Sequence, residues 1–106
     1  RGLLLCDPSY EIKEDYLNIP KHFAAIARKW NVGILMLWYP ILTSGAHEEM
    51  LAQMVANHPE ALRHEVRFPP VRDGHRMIGS GMFVVNPPYG TDAAARDITA
   101  LFKSLK

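Results

Sequence analysis

Residues 2–10, Gly2-Leu3-Leu4-Leu5-Cys6-Asp7-Pro8-Ser9-Tyr10, carry the strongest structural signal in this chain, because an apolar run ends abruptly in an acidic residue and a proline. A short continuous apolar run is typical of a parallel strand that is covered on both faces. The sequence therefore predicts a buried strand from Gly2 to Asp7. Ligands of open α/β sheets bind beyond the carboxyl ends of the strands, so Asp7 to Tyr10 form the first candidate site.

The next segments predict a helix and a second strand. Apolar residues recur at steps of three and four over residues 15–30, which is helical spacing interrupted by Pro20. We therefore expect a short helical turn, a break, and a main helix from about residue 20 with the proline in its first turn. Ile34 to Tyr39 is apolar on both faces and stops at Pro40, which predicts a second buried parallel strand. Two parallel strands joined by a helix form a right-handed βαβ unit.

A second helix is predicted from Gly45 to Asn57. Thr43 or Ser44 would cap its start, and Pro59 would close it.

The last third of the chain predicts two strands and a helix. Residues 61–68 alternate as a half-exposed strand does, and Gly79 to Asn86 is a further apolar strand, so we expect an antiparallel hairpin around a loop at residues 69–74. A final amphipathic helix is expected from Thr91, its cap, to Leu105. Its inward-facing residues would be Ala94, Ala95, Ile98, Leu101, Phe102 and Leu105.

Composition excludes several classes of protein. The chain has 106 residues, 48% of them hydrophobic, which suits one globular α/β unit, and its formal charge of +1 gives no broad electrostatic footprint for nucleic acid. The single Cys6 fits a reducing compartment as a small core residue. No apolar run reaches the ~18 residues of a membrane span and no signal peptide is visible, so we expect a cytoplasmic protein without membrane contact. The five histidines show no metal-ligand spacing, so no metal is expected, and they are interpreted as surface or helix-end residues.

Three separated motifs carry a resemblance to a known family. Asp7-Pro8-Ser9-Tyr10 resembles the Asp/Asn-Pro-Pro-aromatic tetrad of S-adenosylmethionine-dependent amino methyltransferases, with serine in place of the second proline. The runs Leu37-Trp38-Tyr39-Pro40 and Gly79-Ser80-Gly81-Met82-Phe83-Val84-Val85-Asn86-Pro87-Pro88 resemble the C-terminal part of the bacterial large-subunit (23S) ribosomal RNA adenine-N6 methyltransferases of the RlmJ type. The resemblance extends from Arg1 to about Tyr89.

The resemblance implies that residues 1–106 are one unit, the C-terminal half of a Rossmann-like methyltransferase domain. Parallel strands with helical crossovers would precede an antiparallel strand pair and a C-terminal helix. Because the chain starts at Arg1 without an initiator methionine, we expect the half that binds most of the S-adenosylmethionine to lie upstream. The complete enzyme would methylate N6 of adenine in ribosomal RNA, and this fragment alone would be inactive. The sequence leaves the oligomeric state open.

The resemblance also implies roles for individual residues. The Asp7 carboxylate and the Pro8 carbonyl would accept the two hydrogens of the adenine amino group, and Tyr10 would stack on the flipped base. Asp7 would also contact the cofactor. Further substrate contacts are expected from Ser9, Glu11, Trp38, Tyr39 and Asn86.

A rival motif lies near the end of the chain. Asn86-Pro87-Pro88-Tyr89 fits the tetrad pattern better and also resembles the tetrad of glutamine methyltransferases. Topology disfavours it, because only one helix follows it where two helix-strand crossovers are needed. We interpret Asn86 to Tyr89 as a turn that terminates the strand. Its alternative role is to line the substrate cleft.

Several alternatives remain open at this point. The substrate could be DNA adenine or a protein glutamine, and relatives carry a label for the use of external DNA as a nutrient. A non-catalytic α/β interaction module is the alternative from another class. The most basic stretch is either a surface that contacts RNA phosphates or a solvated strand face and loop tip; it comprises Arg63, Arg67, Arg72, His75 and Arg76.

Overall fold

The computed structural model describes residues 2–10, 13–68 and 76–104. Over these ranges the chain forms a mixed α/β fold with a four-stranded sheet and three helices, which confirms the predicted α/β class. In chain order the elements are β1 (Leu3–Cys6), α1 (Asp15–Lys29), β2 (Ile34–Leu42), α2 (Ala46–Asn57), β3 (Leu62–Arg67), β4 (Met77–Val85) and α3 (Thr91–Lys103).

The strand order in the sheet is β1-β2-β4-β3. β1 pairs with β2 in parallel, and β4 pairs antiparallel with both β2 and β3. The predicted parallel pair with its connecting helix and the predicted hairpin are therefore confirmed. Because β4 inserts beside β2, the hairpin places β3 at one edge of the sheet and leaves β1 at the other.

The hydrophobic core lies between one face of the sheet and the helices α1 and α2. Strand residues alternate between faces, so every second residue of β2 and β4 enters this core. Burying one such side chain contributes about 1.5–3 kcal/mol, which makes this layer the main source of stability. The cluster consists of Leu35, Leu37, Tyr39, Ile41, Phe83 and Val85 from the sheet and Ile19, Phe23, Met50, Leu51 and Met54 from the helices.

The opposite face of the sheet is only partly covered. α3 packs mainly against β3 and has no fully buried residue, and a groove of about 330 Å³ remains between it and the sheet. Ile98 and Phe102 line this groove, but Leu101 is 62% exposed, so its predicted inward orientation is wrong. Leu105 lies outside the described residues.

The prediction that β1 is covered on both faces is wrong for this chain. Leu3 and Leu5 are each 56% exposed, and within the described residues β1 pairs with β2 alone. α3 covers the far side of the sheet and leaves these two leucines open. Cys6, on the other face, packs against the core as predicted.

Two prolines interrupt their elements less than the sequence predicts. α1 is continuous through Pro20, because the missing N–H removes one hydrogen bond while the ring is fully buried beside Ile19 and Phe23. β2 continues past Pro40 to Leu42. β1 pairs with β2 only as far as Leu37, so beyond that point one side of β2 needs no ladder partner.

Glycine occupies the N-cap position of both α2 and α3, in place of the predicted hydroxyl residues. Gly45 precedes α2 with φ +74° and Gly90 precedes α3 with φ +91°. These left-handed conformations favour glycine, which lacks a Cβ. The Ser44 hydroxyl accepts a hydrogen bond from the Ala46 N–H at 3.3 Å at the start of α2, whereas the Thr91 hydroxyl donates to the Pro88 carbonyl oxygen at 2.7 Å.

Candidate active site

Asp7 to Tyr10 follow β1 at its carboxyl end. Cys6 pairs with Leu37, so Asp7 is the first residue beyond the parallel ladder. Asp7 and Ser9 are exposed, while Pro8 and Tyr10 are half-buried. The structure therefore presents an accessible carboxylate at the sheet edge where the sequence predicts a site.

Tyr10 is held in a left-handed conformation with φ +59°, which is uncommon for a residue other than glycine. Its hydroxyl donates a hydrogen bond to the Trp38 carbonyl oxygen at 2.5 Å. Its ring lies 5.0 Å from the Tyr16 ring and 6.0 Å, edge-on, from the indole of Trp38. Such ring pairs contribute about 0.5–1.5 kcal/mol each, which offsets the backbone strain of about 1–3 kcal/mol.

Trp38 is in turn fixed from the neighbouring strand. Its indole N–H donates to the Ser80 hydroxyl at 2.8 Å, across the β2–β4 pair. Tyr10, Tyr16, Trp38 and Ser80 thus form a connected support for the loop, which we call the aromatic anchor. Sequence reasoning missed Tyr16, whose helical spacing indicated only a core residue, and Ser80, whose partner is visible only once the strand register is known.

The buried setting fixes the protonation of two groups beside the loop. Burial raises the pKa of the Tyr10 hydroxyl well above its ordinary value, and the neighbouring Cys6, Tyr16 and Asp7 raise it further. Burial and then Asp7 also raise the pKa of the Cys6 thiol. Near neutral pH Tyr10 is therefore a hydrogen-bond donor and not a base, and Cys6 is not an activated nucleophile.

The structure does not bring the side chain of Tyr39 to Asp7 and Tyr10. Tyr39 follows Trp38 in β2, so its side chain lies on the opposite face of the sheet, fully buried in the core. Its hydroxyl donates to the Glu65 carboxylate at 2.8 Å, which Arg63 also contacts at 2.9 Å. Burial alone would raise the pKa of Glu65, but the hydrogen bonds from Tyr39 and Arg63 outweigh it and lower that pKa.

Asn86 lies at the other end of the sheet. The preceding Val85 pairs with Leu35 at the start of β2. The Asn86 side-chain amide, on a residue with φ +57°, donates to the carbonyl oxygens of Asn31 and Gly33, both at 2.9 Å. The structure therefore does not bring Asn86 to Asp7, and its amide instead holds the loop that precedes β2.

Comparison with known proteins identifies the family of the chain. The sequence profile of the family described as ribosomal RNA large subunit methyltransferase D, RlmJ, matches residues 1–105. This chain belongs to the RlmJ family. The resemblance inferred from its three motifs is thus confirmed.

Two curated relatives are similar to this RlmJ-family chain. The ribosomal RNA large subunit methyltransferase J of Escherichia coli (strain K12) is 36% identical over 90 residues, which cover 84% of this chain and 32% of that protein. The protein of the same name from Haemophilus influenzae is 30% identical over 99 residues, covering 92% of this chain and 35% of that protein. The chain spans about a third of the length of these relatives.

A solved structure of a protein about as long as the two curated relatives contains the same fold. A crystal structure of a Legionella pneumophila protein superposes with a TM-score of 0.84 at 30% identity, covering 99% of this chain and 38% of that chain. The arrangement of β1 to α3 is therefore similar to part of a larger protein.

The structure tests the expectations on metals and membranes only for the residues it describes. Among them, no group of three or more His, Cys, Asp or Glu side chains is placed to hold a metal ion. His47 lies at a helix end, in the first turn of α2, but it is buried, accepts from the Leu42 N–H at 3.3 Å and lies 3.0 Å from Glu48. No helix in the described ranges has the length and apolar character that a membrane span requires. Glu11, Arg72 and His75 lie outside those ranges.

Proposed function

We propose that this chain is the C-terminal half of the Rossmann-like catalytic domain of a cytoplasmic enzyme that transfers a methyl group from S-adenosylmethionine to N6 of adenine in 23S ribosomal RNA. Membership of the RlmJ family and the names of both curated relatives support ribosomal RNA methylation. The relatives are about three times as long as the chain, which leaves room for a separate cofactor-binding half.

The observation that carries this proposal is the exposed Asp7 carboxylate at the end of β1, next to a tyrosine that the aromatic anchor holds in a strained conformation. The adenine amino group is a poor nucleophile, because its lone pair is delocalised into the ring. Asp7 and the Pro8 carbonyl would accept its two hydrogens and draw the nitrogen towards tetrahedral geometry. Proline suits this position because its φ is fixed and it has no N–H to compete for acceptors.

Tyr10 would hold the base. Stacking of a base on an aromatic ring is worth about 1–3 kcal/mol, and the anchor fixes the ring before the base arrives. The hydroxyl is already bound to Trp38, so the ring face is the part of Tyr10 left for the base. Trp38 acts through Tyr10, while Ser9 and Glu11 would contribute polar contacts at the rim of the site.

The residues next to Asp7 fit the cofactor. S-adenosylmethionine supplies an electrophilic methyl group on a positively charged sulfur and carries an ammonium group. The exposed Asp7 carboxylate is a suitable acceptor for that ammonium group. Leu3 and Leu5 are exposed on β1, the edge strand that ends at Asp7, so part of this strand offers an apolar surface.

The test uses the complete protein with Asp7→Ala and Asp7→Asn. Removing one preorganised polar contact to a reacting group typically lowers kcat by about 10²–10³, and we expect a loss of that order with the fold unchanged by circular dichroism. Methyl transfer from labelled S-adenosylmethionine to ribosomal RNA is the measurement. Asp97→Ala, which removes an exposed acid on α3, is the matched control. Unchanged transfer in both Asp7 variants would reject the role of this carboxylate.

The same assay separates the alternative functions. Transfer to a DNA duplex or to a glutamine-containing protein, with none to ribosomal RNA, would replace the substrate while keeping the site. A wild-type protein that neither binds S-adenosylmethionine nor transfers a methyl group would be the interaction module.

A further inference from the structure

Arg67 at the end of β3 and Arg76 just before β4 lie at the end of the sheet where the parallel strands β1 and β2 terminate, which is also the end that carries Asp7. β3 ends at Arg67 and β4 begins at Met77, which pairs with Leu42 at the carboxyl end of β2. The Arg76 carbonyl accepts a hydrogen bond from the Thr43 N–H at 2.9 Å, just beyond that end. Since β1 and β2 run in parallel, their carboxyl ends share this edge.

The strand register sets the spacing between the two features. Asp7 lies level with Trp38 and Arg76 lies beside Thr43, about five residues further along β2 and two strands across. At about 3.3 Å per residue and 4.8 Å per strand, the separation is roughly 19 Å.

Both arginines are available to a polyanion. Arg76 is exposed, and no ion pair to it is found among the described residues. The Arg67 side chain is 59% exposed and meets Glu65 only at 3.4 Å. Arg63 and Tyr39 contact Oε2 of Glu65, while Arg67 reaches Oε1 with one guanidinium nitrogen only, so its other N–H groups remain available to a phosphate.

Acidic residues restrict the direction from which a polyanion can approach. Glu14 immediately precedes α1, and Glu48 and Glu49 lie in the first turn of α2, both at the edge that carries Asp7. The starts of α1 and α2 therefore carry negative charge, while Arg67 and Arg76 place positive charge at the facing ends of β3 and β4. An RNA strand that reaches Asp7 would be attracted towards the hairpin and repelled from the helices.

We propose that Arg67 and Arg76 form a phosphate-contacting surface for the RNA that flanks the target adenine, roughly 19 Å from Asp7. This inference rests on the proposed function and deepens it by adding a contact to the RNA backbone. This contact would not select an RNA sequence, because phosphate contacts position a nucleic acid without reading its bases.

The experiment compares two double variants of the complete protein. Arg67→Ala/Arg76→Ala removes the surface, and Arg28→Ala/Lys29→Ala removes the same charge from exposed residues in the last turn of α1, at the opposite edge. Binding to a transcribed ribosomal RNA fragment is measured by fluorescence anisotropy between 0.05 and 0.3 M salt. Each lost phosphate contact should weaken binding about five- to eightfold at 0.1 M salt and reduce the slope of log K against log salt by about 0.7–0.9. Arg67→Lys/Arg76→Lys should restore most of the slope.

The outcomes separate the inference from the proposed function. A raised KM for RNA, with kcat unchanged at saturating RNA, supports the inference. An unchanged salt slope in the Arg67/Arg76 variant, or an equal loss in the Arg28/Lys29 control, overturns it, even if wild-type protein methylates RNA and Asp7→Ala does not. A wild-type protein that neither binds nor methylates the RNA overturns both.

Discussion

Tyr10 connects the tetrad-like loop to the sheet through a single hydroxyl. Tyr10→Phe keeps the ring and removes its hydrogen bond to the Trp38 carbonyl, so we expect the free energy of unfolding to fall by about 0.5–1.5 kcal/mol. Tyr10→Leu also removes the stacking surface and should raise the KM for RNA further than Tyr10→Phe does. Urea unfolding and steady-state methylation check the pair. Identical kinetics for both variants would show that the ring does not hold the base.

Gly81 is required by the packing of Tyr39. A Cβ at Gly81 would lie 2.2 Å from the Tyr39 ring, a distance at which something must move. We expect Gly81→Ala to lower the free energy of unfolding by about 1–3 kcal/mol, the usual cost of overpacking. In the Tyr39→Leu background the same substitution should cost much less, because the ring is gone. Equal costs in the two backgrounds, measured by denaturant unfolding, would contradict the clash.

The hydrogen bonds that Tyr39 and Arg63 donate to Glu65 predict that the free energy of unfolding decreases in acid. The pKa of Glu65 is lower in the folded chain than its ordinary value of 4.5, so the unfolded chain takes up the proton first. The contribution of Glu65 is therefore present above about pH 4.5 and is lost as the pH falls through the folded pKa. Glu65→Gln should be less stable at pH 7 and should flatten this part of the profile. Unfolding curves from pH 7 to pH 3 are the measurement, and parallel profiles would contradict the assignment.

At the scale of elements, the spacing of apolar residues along the sequence was sufficient to locate every strand and helix of the described residues. It failed where tertiary contacts compensate a local penalty. Pro20 remains inside α1 because its ring is buried, and Pro40 remains inside β2 because one side of that strand needs no partner there. The left-handed backbone of Gly45 and Gly90 at the helix starts does not follow from the hydroxyl pattern, although Ser44 does bond the Ala46 N–H.

The Gly79-Ser80-Gly81 run shows what strand register adds to a motif. Both glycines face the core, where a Cβ would meet Ile41 at one position and Tyr39 at the other. The serine between them faces the opposite side and accepts the hydrogen bond from Trp38. The motif was visible in the sequence, but its purpose depends on partners some forty residues away along the chain.

The candidate site was predicted in part. The position of Asp7 to Tyr10 at the end of a strand follows from the apolar run and its abrupt stop. The structure brings neither Tyr39 nor Asn86 to Asp7, because nearness in sequence or likeness to a motif does not fix the face or the end of a sheet on which a side chain lies.

At the scale of the whole molecule, the open edge of β1 predicts how this chain behaves by itself. An exposed edge strand with exposed leucines is a template for pairing with another chain. We expect the isolated 106-residue chain to transfer no methyl group and to associate as its concentration rises. Leu5→Lys should reduce the association, whereas Leu101→Lys, on exposed α3, should not. Sedimentation velocity checks this, and a monomer at all concentrations would contradict it.

Trp38 and Tyr39 are consecutive in β2, yet their side chains lie on opposite faces of the sheet. Trp38 supports the loop at Tyr10, and Tyr39 donates a hydrogen bond to Glu65. A one-residue slip of β2 would exchange them, placing the indole in the core and the phenol under the loop. The ladder becomes irregular only between Ile41 and Leu42, beyond both residues. We therefore expect members of this family to tolerate inserted or deleted residues after Leu42. Between Ile34 and Tyr39 a single inserted residue would move side chains to the wrong face and disrupt the packing on both faces of the sheet.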